Sequence, residues 1–101
     1  MAKMKITVLR TMANRDFAEQ YCENVDVTPC DRFKEGAEFL LDGANCPEGF
    51  CNWAWDDIYK GVLVLARGGN MQGWMKDNRT LISCCTDGIR PVVFKIERLE
   101  E

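Results

Sequence analysis

The chain has 101 residues, 47% of them hydrophobic, with thirteen Lys and Arg against sixteen Asp and Glu and a formal net charge of −3. That length and composition predict a single globular domain over residues 1–101 and leave no room for a second. The acidic balance argues against a nucleic-acid partner, which needs clustered basic side chains. The longest apolar run, Val62 to Ala66, is far below the roughly 20 residues that span a bilayer, so no membrane partner is expected.

In chain order, Met4 to Arg10 alternates, with Met4, Ile6 and Val8 on one face and Lys5, Thr7 and Leu9 on the other. That is a strand with one buried face. Asn14 is placed to cap a short helix in which Phe17 and Tyr21 stack at i, i+4, with Cys22 near its end. Glu23 to Pro29 is polar and reads as loop. Lys34-Glu35-Gly36 turns the chain into a second strand, Glu38 to Leu41, which stops at Asp42-Gly43.

Ala44 to Phe50 is a further loop. Asn52 is expected to cap the main helix, with Asp56 and Asp57 in its early turns, where a charged helical start is a better reading than an acid/base pair. Trp55, Ile58, Tyr59, Val62, Leu63 and Ala66 give that helix one apolar stripe, with Trp55 in the core. Gly68-Gly69 ends it. After a loop through Gly73-Trp74 comes a hairpin of Thr80 to Cys85 and Val92 to Arg98, joined through Asp87-Gly88. The order β-α-β-α-β-β predicts a compact α+β domain, a mostly antiparallel sheet with helices on one face. The other face of such a sheet wants cover, so a homo-oligomer is expected. The start, Met1 to Arg10, lacks the apolar stretch of a signal peptide, which points to the cytoplasm.

Six cysteines and no histidine exclude catalytic triads, Cys–His dyads and His-ligated zinc within one chain. In a reducing compartment the cysteines are then soft-metal ligands, reactive thiols or small core hydrophobes. Cys51 stands immediately before the expected cap Asn52, where free N–H groups favour a thiolate. Cys84 and Cys85 are adjacent on a strand and face opposite sides of the sheet. Cys84 shares parity with Ile82 and is assigned to packing; Cys85 shares parity with Ser83 and is assigned to chemistry, unless a bulge shifts the parity. Cys30 follows Pro29 in a loop able to bend around an ion. Cys22 and Cys46 are weaker candidates, although Cys46 and Cys51 resemble half of a plant-type ferredoxin spacing. No Cys-x-x-Cys occurs, which disfavours thioredoxin-type redox and makes zinc the poorer metal.

Trp53 and Trp74 are placed to wall a pocket beside Cys51 or to cover an oligomer interface. Arg90, beside Pro91, either neutralises an anionic ligand near Cys85 or is a solvated turn residue, and the second reading is the simpler.

Taken together, Lys3 to Leu9, Phe33-Lys34-Glu35-Gly36 with Glu38-Phe39, Pro47-Glu48-Gly49-Phe50-Cys51 with Trp53-Ala54-Trp55, Gly68-Gly69 and Cys85 to Ile96 resemble a family of small prokaryotic proteins, common in anaerobes, for which no activity is known. Shorter members have one cysteine before the Lys-x-Gly turn, one in the Pro-Glu-Gly-x-Cys loop and one in a Cys-x-Asp segment. The resemblance maps these onto Cys30, Cys51 and Cys85.

Three readings follow. The leading one is a metal-binding protein in which Cys30, Cys51 and Cys85 hold an iron–sulfur cluster for electron transfer or substrate binding, with Cys22, Cys46, Cys84 or an outside ligand completing it. A redox partner or a small molecule is then implied. The second is a thiol-dependent or ligand-binding enzyme with Cys51 as thiolate in a pocket lined by Trp53 and Trp74. The third is a non-catalytic oligomeric module with cysteines as packing.

Overall fold

In the computed structural model, which describes residues 2–99, the strand β1 (Lys3–Thr11) takes its place from its alternation. Met4, Ile6 and Val8 are buried, and the intervening side chains point to the opposite face. It lies at the centre of a four-stranded antiparallel sheet of order β2-β1-β4-β3, in which β2 is Glu38–Asp42, β3 Thr80–Cys84 and β4 Val92–Arg98. The helices are α1 (Arg15–Tyr21) and α2 (Asn52–Ala66), and the order is β-α-β-α-β-β, as the sequence predicts. The domain is α+β.

α2 lies over the face carrying Met4, Ile6, Val8, Val92, Phe94 and Ile96, and buries Ala54, Ile58, Val62, Leu65 and Ala66 there. Each fully buried large apolar side chain contributes about 1.5–3 kcal/mol from removal from water. The buried stripe is rotated from the expected one: Ala54 and Leu65 enter the core, Trp55 is half-buried at its edge, and Tyr59 is exposed. No helix among the described residues is long and apolar enough to cross a membrane.

α2 ends as its glycines dictate. Gly68 takes a positive φ of 91°. Its N–H donates to the Leu65 carbonyl at 3.1 Å, and Gly69 N–H donates to the Val64 carbonyl at 2.8 Å. These are the two bonds of a Schellman motif. Arg98, buried at the end of β4, donates from Nη1 to the carbonyls of Leu65 and Gly69, at 2.7 Å each.

The other sheet face carries Lys5 between Glu38 (3.6 Å) and Glu97 (3.5 Å), and Lys95 beside Glu97 (3.7 Å). Register places Ile82 opposite Lys95 and Cys84 opposite Val93 on this face. Cys84 is therefore exposed and does not pack, contrary to the sequence expectation. Leu81, not Ile82, carries the inward parity. Leu81 packs against the core while Ile82 is 41% exposed. Both residues are apolar, so alternation alone does not choose between them.

Two expected caps also differ. The Asn14 side chain makes no cap bond to α1; its Nδ2 donates to the Gly88 carbonyl at 2.7 Å and its N–H to the Ile89 carbonyl at 2.8 Å. α1 is thus tied to the β3–β4 loop. It buries only Ala18, and Phe17 and Tyr21 lie in solvent, where the expected stack has no core to support it. At α2 the N-cap is Cys51 itself and Asn52 is the first helical residue, so no side chain caps the helix.

Candidate functional site

Three segments bring their cysteines to one end of the sheet. The first is fixed by Phe33, an apolar residue in a polar loop. Its ring packs against Phe50 (4.9 Å between centroids), Phe94 (5.1 Å) and Phe39 (6.1 Å). Burying Phe33 pins the backbone on either side, so Cys30 and Arg32 are held at the edge of the core.

The second is the Pro47-Glu48-Gly49-Phe50 turn. Gly49 has φ +82°, and Phe50 N–H donates to the Pro47 carbonyl at 3.2 Å. A positive φ at the third position is what a type II turn needs, and glycine supplies it without steric cost. The turn drives Phe50 into the aromatic cluster and leaves Cys51 at the start of α2, where its carbonyl accepts from Trp55 N–H at 2.9 Å.

The third begins where β3 ends. Cys85 N–H donates to the Val92 carbonyl at 3.1 Å, and Val92 N–H donates to Cys85 Sγ at 3.3 Å. Cys85 is buried. The next residue is clamped to α2: Asp57 accepts from Thr86 N–H at 2.7 Å and from its hydroxyl at 3.0 Å, while that hydroxyl accepts from Trp53 Nε1 at 2.9 Å. Asp87 then closes the loop by accepting from the N–H groups of Ile89 and Arg90, both at 2.9 Å. The Arg90 N–H bond foremost, then that of Ile89 and the nearby Arg90 guanidinium, holds the Asp87 carboxyl below its ordinary pKa.

Between these segments lies a cleft of about 570 Å³. Cys30, Cys51 and Cys85 all line it, and so do Trp53 and Arg90. Arg32, Phe33, Ala54, Thr86, Asp87, Gly88 and Val92 complete its wall. Of these, Arg32 and Thr86 carry no sequence signal of their own, whereas Phe33 stands out as a hydrophobe between Cys30 and the Lys34-Glu35-Gly36 turn. Asp57 looks from sequence like a charge early in a helix; its task is to hold Thr86.

The remaining candidates lie elsewhere. Trp74 is 73% exposed in the loop before β3 and is not part of the cleft wall. Cys22 closes α1, Cys84 is on the open sheet face, and Cys46 is in the loop before the Pro47 turn. Cys46 Sγ donates to the Pro47 carbonyl at 3.6 Å, and partial desolvation pushes its thiol above the ordinary value. All six cysteines are free.

A single zinc ion bound at about 2.3 Å from each sulfur needs thiolates within about 4 Å of one another. Among the described residues, no group of three or more Cys, Asp or Glu side chains is set to hold one ion. Cys30, Cys51 and Cys85 share the cleft without forming that tight set. No family model matches the chain, nor does any curated protein or solved structure.

Proposed function

We propose that the cleft is a thiolate site for an iron–sulfur cluster in a cytosolic protein, with Cys30, Cys51 and Cys85 as its ligands. The observation that carries this reading is the meeting of three cysteines from three separate segments at one cleft while the other three lie outside it. A cluster suits this arrangement better than a lone ion, because each thiolate binds a different iron and the sulfurs stand further apart. The Val92 N–H on Cys85 Sγ is the kind of bond that stabilises a cluster-bound sulfur. Arg32 and Arg90 are the two cationic residues on the cleft wall. Such a group supplies one-electron transfer or, at an iron without a protein thiolate, a place for substrate.

The test is iron and acid-labile sulfide analysis, with a visible spectrum, on protein purified without oxygen and then reconstituted. Comparable amounts of iron and sulfide with broad visible absorption are expected. Protein that stays colourless and iron-free after reconstitution overturns the reading.

A second reading, a thiol-dependent enzyme, draws on the N-cap position of Cys51, where the unpaired N–H groups of the first helical turn gather. It expects metal-free protein in which Cys51 alkylates far faster than the exposed Cys46 and Cys84. Equal rates at the three would end it.

A further inference from the structure

We infer that the cleft binds a small organic monoanion, a carboxylate with an apolar or aromatic body, and that Arg32 is the residue that recognises the carboxylate. The inference deepens the cluster reading, from which it takes the cleft, but it stands on different residues.

Two arginines line the cleft and only one of them has a side-chain partner. Arg90 Nε lies 3.6 Å from Asp87 Oδ2, and its backbone N–H is bonded to Oδ1 of the same carboxylate. Asp87 is the only acidic residue among those lining the cleft, so this pair neutralises itself. Arg32 makes no hydrogen bond and no ion pair among the described residues. While the three cysteines are neutral thiols, the cleft therefore presents one positive charge that no side chain offsets, in the planar fork that matches a carboxylate with two parallel bonds. One such charge selects a monoanion.

The rest of the wall specifies the body of the ligand. Phe33, Ala54 and Val92 are buried apolar residues whose surfaces form part of the cleft. Trp53 is 64% exposed, yet its ring is not free to wander, because Nε1 is bonded to Thr86. A large aromatic surface kept in solvent and held in place is ready to receive an apolar group. The volume of about 570 Å³ is that of a small-molecule site. A bare inorganic anion would leave most of this apolar wall uncovered.

The test is titration of acetate, benzoate and phenylacetate, each beside its neutral amide and beside inorganic phosphate, into the full chain before and after cluster reconstitution. Binding is read from tryptophan emission and by calorimetry. Saturable binding that prefers benzoate or phenylacetate over the amide and over phosphate is expected, with Trp53→Phe abolishing most of the emission change. Arg32→Gln should weaken the carboxylate roughly tenfold or more and leave the amide unchanged, with Arg32→Lys between. Arg32 is exposed and unpartnered, so its replacement is not expected to move the melting temperature. Amides binding as well as the carboxylates, phosphate binding as well as the organic acids, or unchanged affinity in Arg32→Gln would each overturn the inference. Selective binding to iron-free protein that refuses a cluster leaves the inference standing and removes the cluster reading; a loaded cluster without carboxylate selectivity does the reverse.

Discussion

Asp57 and Thr86 are joined by a carboxylate that takes both the N–H and the hydroxyl of the threonine, at 2.7 and 3.0 Å. This contact locks the loop after Cys85 to the second turn of α2 and so sets the distance between two walls of the cleft. Asp57→Ala should cost about 2 kcal/mol in urea-unfolding stability, since two bonds to a charged acceptor are lost and the residue is only half-buried. The loosened loop should also open Cys85 to thiol reagents. An unchanged Cys85 labelling rate in that variant would show that the clamp does not shape the cleft.

The cysteines divide sharply. Serine at Cys30, Cys51 or Cys85 should abolish stable iron and sulfide loading, whereas serine at Cys22, Cys46 or Cys84, which lie off the cleft, should leave it intact. Full loading in Cys51→Ser would overturn the ligand set. Cys85→Ser has a second readout: it places a polar group in a buried site and should lower stability, with or without metal.

Asp87 makes stability depend on pH. Its folded pKa lies below the ordinary value of 3.8 because the N–H groups of Arg90 and Ile89 favour the carboxylate. A depressed carboxyl contributes stability above the unfolded value and loses it as pH falls through the folded one. Asp87→Asn keeps an acceptor for both N–H groups and removes the charge. Its urea midpoint should fall below that of the wild type at neutral pH, and the gap should close in strong acid. A gap that persists at pH values well below 3.8 would assign the effect to geometry rather than charge.

Arg98 closes the far end of α2. Arg98→Met removes the guanidinium bonds to the carbonyls of Leu65, which keeps the Gly68 N–H, and Gly69, and should cost about 2–4 kcal/mol, read by thermal or urea unfolding. Gly69→Ala should cost about 1–3 kcal/mol, because a Cβ there would lie 2.7 Å from the Val64 carbonyl oxygen. Neither change is near the cleft, so neither should alter cluster loading in the protein that folds.

The strands, the main helix, its glycine stop and the α+β class follow from the sequence, because alternation, 3.6-residue periodicity and turn chemistry act between near neighbours. The same local rules assigned Cys84, with the parity of Ile82, to packing, and the structure reverses that parity in favour of Leu81. It was settled by α2 above the sheet, where Gly61 gives the Leu81 side chain its space. They placed Asn14 correctly at the start of α1 but not its side chain, which serves a loop more than seventy residues away instead of capping the helix. The cysteine inventory and the absence of histidine bounded the chemistry from composition alone. Cys30, Cys51 and Cys85 were already singled out in the sequence, but the cleft that all three line, and the place of Arg32, Thr86 and Asp57 around it, depended on tertiary packing: Phe33, Phe50 and Phe94 draw distant segments into one aromatic cluster. Contacts of that kind are made by burial of side chains far apart in the chain, and burial leaves no spacing for a sequence to display.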